Sequence, residues 1–157
     1  MKKILAVLLA VMMMLSLSSV SFAANNSKNG NLQFGEDGKF KILLFADVQD
    51  GYPMHKDFLN FMNQALDKAQ PDLVIFLGDI IMSAETEDDY WKGYDQLIQP
   101  MADRNIPFTM VFGNHDYQQG YTNDELFEMY KKYGGEYCVA YDAVPELHGT
   151  ATHNLPI

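Results

Sequence analysis

Apolar residues follow two different periods along this chain. Residues 42–46, 73–77 and 108–112 are short, largely apolar runs without alternation. Runs of that length and composition predict strands buried on both faces. Between them the period becomes helical. Phe58, Phe61, Met62, Ala65, Leu66 and Ala69 recur at helical spacing, and Pro71 ends the pattern. Trp91, Tyr94, Leu97, Ile98 and Met101 share a second helical face, in which Gly93 costs about 1 kcal/mol relative to Ala. Leu126, Phe127, Tyr130 and Tyr133 mark a third helix, closed by Gly134-Gly135. Thr86 and Thr122 each stand three residues before an acid, Asp89 and Glu125, as in a capping box. Residues 32–34 and 40–45 flank Gly35-Glu36-Asp37-Gly38 and predict a hairpin. Residues 138–141 predict a fourth strand.

Strands and helices that alternate in this way predict an α/β layer structure with parallel strands. Sites in open sheets of that kind form beyond the carboxyl ends of the strands. All three apolar runs end in polar residues there. The first leads into Asp47-Val48-Gln49-Asp50, the second into Gly78-Asp79, and the third into Gly113-Asn114-His115-Asp116. Carboxylates bind hard cations, and an Asn or Gln adds a neutral carbonyl oxygen. Asp79 has two oxygens with which to bridge two ions. Two metals about 3.5–4 Å apart can activate water and stabilise an in-line displacement, while a nearby histidine protonates the leaving group. The set therefore suits phosphate ester hydrolysis. Taken singly, an Asp after a strand is as readily a turn or cap residue; Gly-Asn-His-Asp is the more distinctive signal. His55 lies near a helix start and His148 and His153 in an irregular tail, so these are expected at the surface or in packing.

Composition changes this picture in three places. Lys2 and Lys3, the apolar run 4–17 and Ser21-Phe22-Ala23 predict a signal peptide over residues 1–23, cleaved after Ala23. A flexible leader is expected over 24–31 and the domain over 32–157. The run is short for a membrane span, so no stable anchor is expected after cleavage. An exported protein follows, whether secreted, periplasmic or associated with the cell wall. The formal charge is −10, and loss of Lys2 and Lys3 makes it more negative still. That argues against a broad nucleic-acid-binding face, yet not against a phosphorylated substrate, because bound cations dominate the local field. Cys138 is the single cysteine, which excludes an internal disulfide and predicts a buried thiol.

The three motifs resemble the first three blocks of the calcineurin-like metallophosphoesterases: Asp-x-His, Gly-Asp, and Gly-Asn-His-Asp/Glu. The resemblance implies a layered α/β fold with two facing sheets, the second largely missing here. It implies two divalent or trivalent metal ions of the Mn, Fe or Zn type, and a phosphomonoester or phosphodiester substrate. By the same resemblance Asp47 and Gln49 would hold one metal, Asp79 would bridge both, Asn114 would hold the second, and His115 would be the catalytic histidine. Gln49 departs from the family's histidine at its position and offers a carbonyl oxygen in place of an imidazole. The family's later Gly-His and Gly-His-x-His blocks do not occur in the sequence. The chain thus reads as the N-terminal half of an exported metallophosphoesterase, impaired as an enzyme and open to association through an uncovered sheet face. Two alternatives stand beside it: a non-catalytic exported interaction module and an inactive gene fragment.

Overall fold

A computed structural model describes residues 32–157. The signal peptide and leader expected over residues 1–31 lie outside it. In chain order the elements are β1 (Ile42–Phe45), β2 (Asp50–Gly51), α1 (Lys56–Ala69), β3 (Leu73–Leu77), β4 (Ile81–Ser83), α2 (Glu87–Ala102), β5 (Phe108–Val111) and α3 (Asn123–Gly134). Short 3-10 turns follow β5 at Asp116–Gln119 and α3 at Gly135–Tyr137.

The mixed α/β architecture with parallel strands matches the expectation. β1, β3 and β5 form a parallel sheet in the order β1-β3-β5, with Phe45 beside Phe76 and Phe76 beside Met110. That register lines up Phe45, Val74, Phe76, Phe108 and Met110 on one face, where all are buried. The helices pack on this face. The Phe45 ring meets Phe58 and Phe61 of α1 edge-on, and Phe76 lies 6.2 Å from Tyr130 of α3. Tyr94 of α2 meets Tyr130 edge-on at 4.8 Å. Gly93 has a packing reason: a side chain there would crowd Ile81 of β4. The strands are not buried on both faces as expected: the helices cover one face only, and on the opposite face Ile42, Leu44, Leu77 and Val111 are exposed. Thr109 on that face is covered by the C-terminal segment, where its hydroxyl meets the His153 ring at 2.8 Å.

Helix ends follow the local chemistry. α1 closes on Gln70 in the left-handed region, one residue before Pro71. Thr122 and Glu125 form the reciprocal capping box of α3. At α2 only half of the expected box forms. The Thr86 side chain accepts from the Asp89 amide, but the Asp89 carboxylate turns to Lys92 instead.

Two predicted elements are corrected. The turn at residues 35–38 forms, with Gly38 donating to Gly35, but no strand ladder flanks it. The Gly35 amide bonds to the Lys39 carbonyl and closes a tight local loop, while the Lys41 carbonyl accepts from the amides of Asp72 and Leu73 and joins this segment to β3. The fourth strand reduces to one parallel bridge between Phe108 and Cys138. Gly134 lets this segment approach, because a Cβ there would overlap both the Phe108 ring and Cys138. The parallel pair β2–β4 was not expected, being too short to carry a period.

Candidate functional site

All five residues singled out from the sequence sit on loops leaving the carboxyl ends of β1, β3 and β5. The loops are stitched together by backbone hydrogen bonds. Asp47 N–H donates to the Gly78 carbonyl at 3.3 Å, and Gln49 N–H to the Asp79 carbonyl at 2.9 Å. Asp50 N–H continues the series to Ile80 and starts the β2–β4 pair. Asp47, Gln49 and Asp79 all adopt positive φ, at 51°, 47° and 55°. Non-glycine residues in that region cost of order 1–3 kcal/mol each and persist where surrounding contacts over-determine them, commonly at functional sites.

The loops after β3 and β5 interlock more tightly. Asp79, 6% exposed, accepts at Oδ1 from the His115 amide at 2.7 Å. Asp116, 2% exposed, accepts at Oδ2 from the amides of Asp79 and Gly113, at 3.0 and 2.6 Å. Its Oδ1 accepts from Ile80 N–H at 3.3 Å. The loops can come this close because two glycines carry no Cβ. A methyl at Gly113 would overlap the Asp79 carboxylate, and one at Gly78 would overlap Gly113. Asp116 is the residue that sequence reading did not single out, although it closes the Gly-Asn-His-Asp motif. Its partners are backbone amides up to 37 residues away, and these leave no trace in composition.

Asp47, Gln49 and Asn114 are exposed, and His115 is half-buried. Gln49 Nε2 donates to Asp47 Oδ1 at 3.1 Å, which places the two side chains together and leaves the Gln49 carbonyl oxygen available. Behind the site stand three buried tyrosines. Burial, and after it the Asp116 charge, hold the Tyr130 phenol well above its usual range. Burial raises Tyr90 to about 12 and pushes Tyr94 up as well.

The other histidines serve elsewhere. The His55 ring meets Asp50 Oδ1 at 2.5 Å, and its amide donates to Asp50 Oδ2. Burial opposes ionisation of Asp50, but bonds from Gly51 and His55 outweigh it and the carboxyl is held below its ordinary value. His153 packs against Tyr141 and Thr109, and His148 is exposed.

Two carboxylates and two amide side chains at one sheet edge offer hard oxygen ligands of the kind divalent cations take. Asp79 keeps Oδ2 available while Oδ1 is braced. The donor set therefore fits a cation held by oxygens. Among the described residues no group of three or more His, Cys, Asp or Glu side chains is disposed to hold a metal. Among the same residues no helix is long and apolar enough to cross a membrane.

Parallel strands, helices on one face and three polar loops meeting at one edge suggest the class, and comparison with known proteins agrees. Residues 40–154 match the calcineurin-like phosphoesterase family, and the chain belongs to it. It is 34% identical over 113 residues to "Phosphatase DCR2" of Saccharomyces cerevisiae, covering 62% of this chain and 20% of that protein. It is 26% identical over 143 residues to "Probable inactive purple acid phosphatase 14" of Arabidopsis thaliana, covering 81% and 36%. It is also 29% identical over 92 residues to "Uncharacterized metallophosphoesterase YkuE" of Bacillus subtilis, covering 57% and 30%. The chain thus spans 20–36% of the length of these relatives.

Proposed function

We propose that this chain carries metal ligands and the catalytic histidine of an exported, metal-dependent phosphoester hydrolase with a dinuclear centre. The observation that carries the reading is the Asp79–His115–Gly113–Asp116 interlock, which holds a buried carboxylate and a histidine loop together beside Asp47. Asp47 and the Gln49 carbonyl would hold one cation, Asp79 would bridge, and Asn114 would hold the second. When bound, the cations would supply Lewis acidity toward the phosphoryl oxygens and a lowered pKa for water. His115 would protonate the leaving oxygen, a role supported by its half-buried position and by its amide bond to Asp79. The phosphoester class follows from the family. Export follows from the basic start, apolar run and small residues ending at Ala23.

A second reading rests on the exposed Ile42, Leu44, Leu77 and Val111: a non-catalytic module that associates through this sheet face. The relative whose name calls it inactive, and Gln49 in place of an imidazole, accord with it. One experiment separates the two. Mn²⁺ binding and hydrolysis of p-nitrophenyl phosphate and its bis-ester are followed in the parent chain, Asp79→Asn and His115→Ala. The hydrolase reading expects metal-dependent turnover abolished by Asp79→Asn. It expects His115→Ala to lower kcat about 10²–10⁴-fold with Mn²⁺ binding retained. Turnover indifferent to both substitutions, or oligomerisation without any turnover, would favour the module.

A further inference from the structure

We propose that Asp116 is a positioning residue of this site, fixing the Asp79 loop against the Asn114–His115 loop. The claim about the two loops stands on geometry alone. The claim about metal affinity rests on the reading of Asp79 as a ligand. A carboxylate that is 2% exposed must find hydrogen bonds or lose its charge. Asp116 finds three, all from backbone amides and none from a lysine or arginine. Two of those amides are consecutive, at Asp79 and Ile80, and flank the Cα of Asp79, which like Gly78 has a positive φ. Successive amides in such a turn form a concave nest for an anion, and here the chain fills the nest with its own side chain. The third amide, Gly113, belongs to the facing loop, and Oδ2 is shared between the two loops.

The arrangement closes on itself. Asp116 holds the Asp79 backbone, the Asp79 carboxylate holds the His115 amide, and His115 is the residue before Asp116. Each carboxylate thus sets the place of the other. Tyr130, which feels the Asp116 charge, is itself buried and packs against Phe76 and Phe108. Asp116 bonds to none of the three exposed ligand candidates, Asp47, Gln49 and Asn114, so its effect reaches them through the backbone it braces. Groups that orient ligands in this indirect way typically change metal affinity by about 10–100-fold when removed.

The test combines assigned amide NMR with Mn²⁺ titration on the parent chain, Asp116→Ala, Asp116→Asn and Asp79→Asn. In Asp116→Ala the amide protons of Asp79 and Gly113 are expected to move upfield and lose exchange protection. Mn²⁺ affinity should fall by about 10–100-fold in protein that circular dichroism shows to be folded. Asp116→Asn keeps an acceptor oxygen and should recover part of both effects; it also serves if the alanine variant does not fold. Asp79→Asn should lose Mn²⁺ affinity while its own amide and that of Gly113 stay bonded to Asp116. Amide signals unchanged in a folded Asp116 variant would overturn the positioning role, whatever the metal does. Altered amides with unchanged Mn²⁺ affinity would overturn its link to the ligands. A parent chain that binds no Mn²⁺ would overturn the ligand reading, and the amide signals would still decide the role of Asp116 in the loops.

Discussion

Replacing Gly113 by alanine tests the interlock at its tightest point. Nothing in the backbone conformation of Gly113 forbids a side chain, because its φ is not in the left-handed region. The cost is therefore one of space. The new methyl would overlap the Asp79 carboxylate and approach the Asp79 amide nitrogen at 2.9 Å. Displacing the carboxylate breaks its 2.7 Å bond from the His115 amide. Overpacking of a tight site costs about 1–3 kcal/mol, and a hydrogen bond to a charged group about 1.5–3 kcal/mol. The two overlap, since the same movement causes both, so a loss of roughly 3–4 kcal/mol is expected. Gly120→Ala is the comparison. Its φ is 87°, with nothing within 4 Å of a Cβ, so backbone strain alone, about 1–2 kcal/mol, is expected. Urea denaturation of both variants gives the answer, provided the slope with denaturant stays that of the parent. If Gly113→Ala lost no more stability than Gly120→Ala, the Asp79 carboxylate would not be held where the interlock requires.

Two further outcomes concern the frame that carries the site. Phe76 is fully buried at the centre of the sheet, in contact with Phe45, Phe108 and Tyr130, so Phe76→Ala should cost about 3–5 kcal/mol in the same denaturation assay. A loss below about 1 kcal/mol would place the core elsewhere. Burial raises the Cys138 thiol from 9.0 to about 11. Between those values the unfolded chain releases a proton that the folded chain keeps. Folding stability is therefore fully supported below pH 9 and falls as pH rises toward 11. Cys138→Ala should flatten that part of the pH–stability curve, leaving the later fall from the buried tyrosines. A curve of unchanged slope would mean that the thiol is accessible in the native state.

The class of structure and the positions of its main elements are legible along the chain. Three helices and three strands emerge from the apolar pattern, ending within a residue or two of the observed bounds, because burial of a helix face or a strand face selects for apolar side chains; burial of both strand faces did not follow, since Ile42, Leu44, Leu77 and Val111 are exposed. Helix ends were legible where a single side chain decides them, as at Thr122 with Glu125 or at Pro71. The site was legible as a set of loops, since Asp47, Gln49, Asp79, Asn114 and His115 each follow a strand and the sheet rule brings them to one edge.

Which backbone groups pair across the chain is set by packing in three dimensions. The turn at residues 35–38 closed locally through Gly35 and Lys39 without a strand ladder, and the segment at Cys138 made one bridge instead of a strand. The β2–β4 pair arose from a few residues that carry no period. Asp116 acquired its role in the same way. Its bonds go to main-chain amides of Asp79, Ile80 and Gly113, and an amide is identical at every residue but proline. Side-chain chemistry is written along the sequence and can be read there. The meeting of one carboxylate with particular amides depends on how close two loops come, and Gly78 and Gly113 permit that approach only once the sheet has placed the loops side by side.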